Sequence, residues 1–281
     1  MLRQFGAEEI DRALDYDKLA TALAAAFVEG GVEAPLRQAY DVGTEAAPGR
    51  LLMMPAWRRG GRFGVKLVNV FPENGVRGLG AVNGVYAMFD GQTGMPLAVL
   101  DSDALTNKRT AAASRLAARY LARPDAKTLL VVGTGHLAPH LARAHALGRT
   151  LDRILVFGRS APKAAAVAAL LAAEGLPAAP VSDLDEAVAA ADIITCATTA
   201  RTPLIRGAQV RPGTHVDLVG AFRPDMRESD GALVARARVF VDTRAGALAE
   251  AGDLVLAEAE GAFDVDRLAG DLAGLCAERV A

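Results

Sequence analysis

The stretch Lys127-Thr128-Leu129-Leu130-Val131-Val132-Gly133-Thr134-Gly135-His136-Leu137-Ala138 decides the fold of this chain. The aliphatic run Leu129 to Val132 follows a polar start and ends at a glycine turn. Such a run reads as a strand buried on both faces, as in the middle of a parallel sheet. A helical pattern begins immediately after it. The turn between them, Gly133 to Ala138, has the form G-x-G-x-x-A. In such a turn the first glycine permits a tight reversal and the second lets a pyrophosphate approach bare backbone. The small last residue lets the helix pack closely on the strand. The N-terminus of that helix offers the phosphates N–H groups that have no intrahelical partner. Glycine pairs after strands also serve as plain turns, so the reading depends on further strand–helix units beyond.

Those units follow. A helical pattern from Leu137 to Leu147 leads to a second apolar strand, Arg153-Ile154-Leu155-Val156-Phe157-Gly158-Arg159-Ser160, and a helix from Lys163 to Ala173. The stretch Val181 to Val188 caps a third helix, and Asp192 to Ala197, Thr214 to Val219 and Arg238 to Val241 read as strands. Short aliphatic strands alternating with helices argue for a doubly wound parallel (Rossmann) sheet, and so for an α/β dinucleotide-binding fold. The end of the second strand selects the cofactor: an acidic residue there meets the ribose hydroxyls of NAD, whereas cations meet the 2′-phosphate of NADP. Here stand Arg159, Ser160 and Lys163 without an acid, which predicts NADPH, with NADH as the alternative. Gly133, Thr134, Gly135, His136 and Leu137 are expected to hold the pyrophosphate. Thr198, at the C-terminal end of a strand, is expected to face the nicotinamide ribose.

The first half has a different grammar. Ala7 to Phe27 reads as one helix, ended by Gly30-Gly31. Pro35 to Val42, Arg50 to Pro55, Gly64 to Phe71, Ala81 to Phe89 and Pro96 to Leu100 read as strands of a largely antiparallel sheet, separated by turn clusters. In Val65-Lys66-Leu67-Val68-Asn69-Val70, alternation puts Lys66 on the same face as Val68 and Val70. A lysine on a covered face needs an anion; on an edge strand it would simply be solvated. A second cation favours the first reading. Arg109 lies in Leu105-Thr106-Asn107-Lys108-Arg109-Thr110, the start of a helix that Asp101, Ser102 or Asp103 can cap. Its guanidinium offers a bidentate fork for a carboxylate or phosphate.

Composition sets the limits. With 281 residues the chain has room for two domains, and a formal net charge of -2 offers no bulk attraction to nucleic acid or an anionic membrane. No apolar run reaches the length of a spanning helix, the N-terminus has no secretory h-region, and two cysteines, Cys196 and Cys276, make no disulfide framework. The expectation is a cytoplasmic protein with buried thiols. His136 and His140 are one turn apart but have no carboxylate between them and sit where a cofactor helix begins, so no metal site is expected. His215 and Cys196 read as packing residues, and Asp225 and Glu228 as helix-start and charge-pairing residues, with a general base as the alternative role.

Taken together, several stretches resemble the ornithine cyclodeaminase/mu-crystallin family. They are Leu52-Met53-Met54-Pro55-Ala56-Trp57, Gly64 to Val68 leading to Phe71-Pro72-Glu73-Asn74, Asp90-Gly91-Gln92-Thr93-Gly94-Met95-Pro96, Arg109 to Ser114, the glycine turn, and Val219-Gly220-Ala221-Phe222-Arg223-Pro224-Asp225-Met226-Arg227-Glu228-Ser229-Asp230. The resemblance implies an α+β substrate-binding and dimerisation domain over 1–122, a Rossmann domain over 123–281, and a homodimer. It also implies that Arg37, Lys66 and Arg109 bind the carboxylate of an amino or imino acid, with Lys66 and Arg109 catalytic and Thr110, Val219 and Ala221 near the cofactor. Cyclodeaminases of the family carry an aspartate where this chain has Phe222, and an apolar ring can neither accept a proton nor pair with an ammonium. The chain therefore resembles the family's ketimine reductases, which reduce Δ1-pyrroline-2-carboxylate and Δ1-piperideine-2-carboxylate to proline and pipecolate. An alanine-type amino-acid dehydrogenase and a non-catalytic small-ligand binding protein are the alternatives. Two departures stand out: Gly80 replaces the family's proline in Gly78-Leu79-Gly80, and most relatives continue past the counterpart of Cys276 with a further segment near the nicotinamide.

Overall fold

The computed structural model describes residues 2–45 and 47–279. They group into two compact units, Met1–Lys18 with Glu29–Arg109, and Leu19–Val28 with Thr110–Ala281. The division falls after Arg109, inside a helix.

The first unit contains β1 (Arg3–Phe5), α1 (Ala7–Ala13), the start of α2 (Tyr16–Glu29), β2 (Val32–Glu33), β3 (Gln38–Asp41), β4 (Arg50–Arg58), β5 (Arg62–Val70), β6 (Val82–Asp90), β7 (Pro96–Asp101) and the first turns of α3 (Ser102–Leu121). Among the described residues its strands form one sheet in the order β1-β7-β6-β5-β4-β2, with β3 also paired to β4. The helix expected from Ala7 to Phe27 is broken in two. Leu14 is extended, and Asp15 Oδ1 accepts from the N–H groups of Asp17 and Lys18, which starts a new helix. The β6–β7 turn is built by Asp90, whose Oδ1 accepts from Gln92 N, Thr93 N and Thr93 Oγ1. Asp101, one of the three possible caps, takes an α3 N–H with its carboxylate, that of Ala104 at 2.8 Å.

Register assigns the sheet's faces. Lys66 pairs with Met54 and with Tyr86, and Val68 with Leu52 and Gly84, so these side chains share a face with Gly64. That face is the covered one: Gly64, Val68 and, on β7, Ala98 are its buried residues. On the opposite face, Met53, Pro55, Trp57, Phe63, Val65, Leu67, Ala87 and Phe89 are apolar yet none is fully buried, and Phe63 stacks on Phe89 at 4.9 Å.

The second unit contains β8 (Thr128–Val132), α4 (Leu137–Ala146), β9 (Arg153–Phe157), α5 (Ala161–Ala173), β10 (Ala178–Pro180), α6 (Leu184–Ala190), β11 (Ile193–Cys196), β12 (His215–Leu218), α7 (Gly231–Arg236), β13 (Phe240–Val241), α8 (Arg244–Glu250), α9 (Gly252–Ala259), β14 (Gly270–Asp271) and α10 (Leu272–Cys276). The main sheet is parallel throughout, in the order β10-β9-β8-β11-β12. Alternate residues of the apolar strands feed two cores. Leu129, Val131, Ile154 and Val156 pack on Ala138, Ala142, Ala164 and Leu171 of α4 and α5, while Leu130, Val132, Ile194 and Cys196 pack on Ala187 and Val188 of α6 and Leu233 of α7. Helices on both faces confirm the doubly wound reading. Arg238 to Val241 does not extend this sheet, however. Only two of its residues are strand, and they pair with β14 beside a separate small core of Val234, Ala247, Leu254, Ala257, Phe263 and Leu268.

Asp192 braces the N-terminal edge of this sheet, accepting from Lys127 N and Thr128 N and pairing with Arg123 and Arg211. Burial opposes its charge, but these donors hold its carboxyl below the usual range. Asp217 does the same inside the sheet. Its oxygens take Ser114 Oγ from α3 at 3.2 Å and Thr195 Oγ1 from β11 at 2.7 Å, and His145 Nε2 from α4 lies 3.2 Å away. His215 stands beside His145, half-buried at the start of β12; burial of its ring pushes its imidazole down to about 4 and keeps it neutral.

Candidate active site

In the first unit the three expected cations occupy one electrostatic neighbourhood. Lys66 lies mid-strand on the covered sheet face, half-buried, with Nζ 3.4 Å from Thr106 Oγ1 on α3. Burial, then the positive charges of Arg109 and Arg37, push its ammonium down from 10.5 to about 8. Two arginines close enough to depress a lysine make a region that attracts an anion. Arg109 is exposed and Arg37 half-buried. Arg37 precedes β3 and does not belong to it, the strand expected from Pro35 beginning only at Gln38. Lys108 plays another part: it is buried, pairs with Asp11 at 3.3 Å and lies over the Tyr16 ring, tying α1 to α3.

Tyr86, which the sequence reading passed over, is the cross-strand partner of Lys66. A Cβ at Gly64 would run into its phenol group, so the glycine is what lets the ring lie across β5. Burial raises the phenol's pKa, keeping it a neutral donor. Only the register, which no local pattern reveals, brings Tyr86 and Lys66 together.

In the second unit the site forms at the C-terminal ends of β8, β11 and β12. Since β9 and β10 lie on one side of β8 and β11 and β12 on the other, the strand order reverses there, and ligands of open α/β sheets bind at that point. Gly133 adopts φ 126°, and a Cβ on it would come within 2.5 Å of Ala197 O, so the turn is packed against the loop after β11. Gly135 differs: nothing lies within 4 Å of where its Cβ would be, leaving a bare backbone cradle at the start of α4. Thr134 is half-buried, and a Cβ at Gly158 would come within 2.5 Å of its Cγ2, which brings the end of β9 against the turn. His136 is exposed and already helical, so its side chain does not cap α4, while Leu137 opens the helix and Ala138 is fully buried against the sheet. These features fit a dinucleotide: close backbone approach, a helix N-terminus and a small third residue.

Arg159 and Lys163 are exposed beyond β9, with Ser160 half-buried at the head of α5. Thr198 and Val219 are half-buried just past β11 and β12, Ala221 is buried, and Thr110 is half-buried on α3. Phe222 is 49% exposed. Asp225 pairs with Arg223 and Arg201, as a charge-pairing residue should. Glu228 does not. It is completely buried and accepts two backbone N–H groups, while Asp230 caps α7. Its burial was not legible, because nothing marks it off from the charged residues around it. Cys196 is buried, with its thiol pushed well above the usual range by burial, whereas Cys276 is only half-buried, against the expectation of two buried thiols. Among the described residues no group of three or more metal-ligating side chains is gathered, and no helix is long and apolar enough to cross a membrane.

A profile of the ornithine cyclodeaminase/mu-crystallin family matches residues 5–277. Delta(1)-pyrroline-2-carboxylate reductase of Paracoccus denitrificans is 44% identical over 239 residues, 85% of this chain and 76% of that protein. Among solved structures, Thermococcus litoralis Delta(1)-pyrroline-2-carboxylate reductase in complex with NADH and L-proline superimposes with a TM-score of 0.92 at 31% identity, covering 100% of this chain and 87% of that one. An archaeal alanine dehydrogenase dimer with bound NAD gives 0.90 at 26% identity, covering 99% and 86%. With the profile spanning nearly the whole chain and the glycine turn set in a doubly wound sheet, this protein belongs to the ornithine cyclodeaminase/mu-crystallin family.

Proposed function

We propose that this protein is a nicotinamide-dependent reductase of a cyclic ketimine, converting Δ1-pyrroline-2-carboxylate to proline and accepting Δ1-piperideine-2-carboxylate as the larger homologue. The observation that carries this reading is a lysine on a covered sheet face, Lys66, with Arg109 and Arg37 close enough to depress it. Such a cluster is built for a small carboxylate. Arg109 and Arg37 orient the carboxylate through forked contacts, and the Lys66 ammonium supplies both charge and, with a pKa of about 8, a transferable proton for the imine nitrogen. Tyr86, cross-strand from Lys66, would line the site as a neutral phenol. When bound, the nicotinamide supplies the hydride. Gly133, Thr134, Gly135, His136 and Leu137 would hold its pyrophosphate, and Thr110, Thr198, Val219 and Ala221 its nicotinamide half. Arg159, Ser160 and Lys163 would meet a 2′-phosphate, which favours NADPH over NADH. The exposed Phe222 ring offers no group to handle a side-chain amine, which argues against ring closure of ornithine.

The protein is further proposed to act as a homodimer in the cytoplasm. The support for the dimer is the apolar sheet face of Met53, Trp57, Phe63, Val65, Leu67 and Phe89, none of it fully buried within one chain. The deciding experiment is timed oxidation of NADPH and of NADH with five- and six-membered cyclic imines, beside pyruvate plus ammonia. Turnover on the imines is expected to exceed that on the oxo acid at least tenfold. Preference for the oxo acid would make the protein an amino-acid dehydrogenase, and cofactor binding without turnover on either would make it a binding protein.

A further inference from the structure

Glu228 is a charged residue with 0% exposure, held between the loops after β11 and β12. One carboxylate oxygen accepts from Thr198 N at 2.6 Å, in the loop after β11, and the other from Gly220 N at 2.7 Å, in the loop after β12. The residue is fixed from behind: its N–H donates to Asp253 Oδ1 at 2.9 Å, and its carbonyl accepts from Leu204 N and Ile205 N. Asp253 in turn takes Ser229 N and Ser229 Oγ. A Cβ at Gly220 would come within 2.5 Å of Glu228 Oε1 and collide with Thr198 O, so the two loops close on the carboxylate with no room to spare. Through Ala197 O, the first of them also abuts Gly133.

We propose that Glu228 is a positioning residue for the nicotinamide half of the cofactor, its carboxylate setting the distance between the Thr198 and Gly220 loops that would receive that ring. The inference rests on the nicotinamide-dependent reading above and assigns the residue no contact with cofactor or substrate. A carboxylate accepts two N–H groups at once; a protonated carboxyl or an amide matches only one of them well. The titratable groups facing it are the Asp253 carboxylate from α9 and the Cys196 thiol from β11, both unable to neutralise it, beside the Thr198 hydroxyl, which favours the charged form; the Arg227 guanidinium is turned away onto Glu260 and Ser229 O. Burial raises its pKa to about 7, so the two-loop clamp loosens as pH falls through neutrality.

The test compares Glu228→Gln with the natural protein, titrating the intact cofactor (whichever of NADPH and NADH binds tighter) and the matching ADP-ribose fragment, which lacks nicotinamide. The expected result is an intact-cofactor affinity at least tenfold weaker in the variant, with fragment affinity and the KM for the imine unchanged. In the natural protein the ratio of intact-cofactor to fragment affinity should fall roughly fivefold or more between pH 7.5 and 5.5, where Lys66 stays mostly protonated; in the variant it should be flat. Equal loss of both ligands, or no loss of either, would overturn the proposal. If the variant does not fold, the pH ratio in the natural protein decides alone, and a constant ratio overturns it. A natural protein that binds neither NADPH nor NADH would fail the nicotinamide reading itself, and this inference with it.

Discussion

Replacing Lys66 by Met tests the cation cluster in two directions at once. A pKa lowered from 10.5 to about 8 corresponds to about 3 kcal/mol disfavouring the charged form in the folded state, and to about 2 kcal/mol after allowing for the solvent that still reaches the ammonium. For a lysine with a depressed folded pKa, the folded state is relatively most stable above 10.5 and loses that advantage as pH falls through about 8. At pH 7 the cost is therefore present in full, and Lys66→Met, which keeps the chain's bulk, should remove it. The expected outcome is a Tm at pH 7 higher by roughly 4–8 °C and a kcat/KM for the cyclic imine lower by about a hundredfold, as loss of a charge-assisted contact worth about 3 kcal/mol implies. Cofactor affinity should stay unchanged. A carboxylate settling among Lys66, Arg109 and Arg37 should also restore the ammonium's pKa, so that L-proline binding at pH 8.5 takes up about 0.7 proton. Calorimetry in two buffers of different ionisation enthalpy measures that uptake, which should vanish in the variant. Unchanged turnover, a variant less stable at pH 7, or binding without proton uptake would each refute the reasoning.

Gly135→Ala should leave Tm within about 2 °C, because its Cβ meets open space, yet weaken cofactor binding about tenfold or more by obstructing the pyrophosphate; fluorescence titration beside a melting curve separates the two effects. Gly133→Ala, with φ 126° and Ala197 O at 2.5 Å, should lower both. Arg159→Glu should raise the KM for NADPH about tenfold or more and leave that for NADH nearly unchanged. Asp192→Ala should cost about 2–3 kcal/mol by stranding two backbone donors and two arginines. Because the carboxyl is depressed, the loss should persist through neutral pH and fade only as acid titrates the natural protein below about pH 4, a pattern that urea melts at several pH values would read.

What could be read from residue order was what local chemistry dictates. The run Leu129 to Val132 could hardly be anything but a buried parallel strand, and Gly133 takes the positive φ that the turn motif requires. Lys66 was conspicuous because alternation set a charge on an apolar face. What stayed hidden was set by distant partners. The break at Asp15 required one aspartate to cap rather than continue a helix, and β13 turned to a two-residue strand with no counterpart in its own neighbourhood. Glu228 was misread because burial of a carboxylate depends on N–H donors 8 and 30 positions away, which no period or spacing encodes.

The meeting of Ser114, His145, Thr195 and Asp217 has a bearing on how such proteins can be recombined. Three donors carried by separate segments converge on one acidic group that the interior cannot tolerate uncompensated. A chimera importing α3 alone from a relative would bring a mismatched first member to a set whose remaining members still expect it. Those four positions should consequently travel as a block, both in the laboratory and along any lineage in which one of them changes.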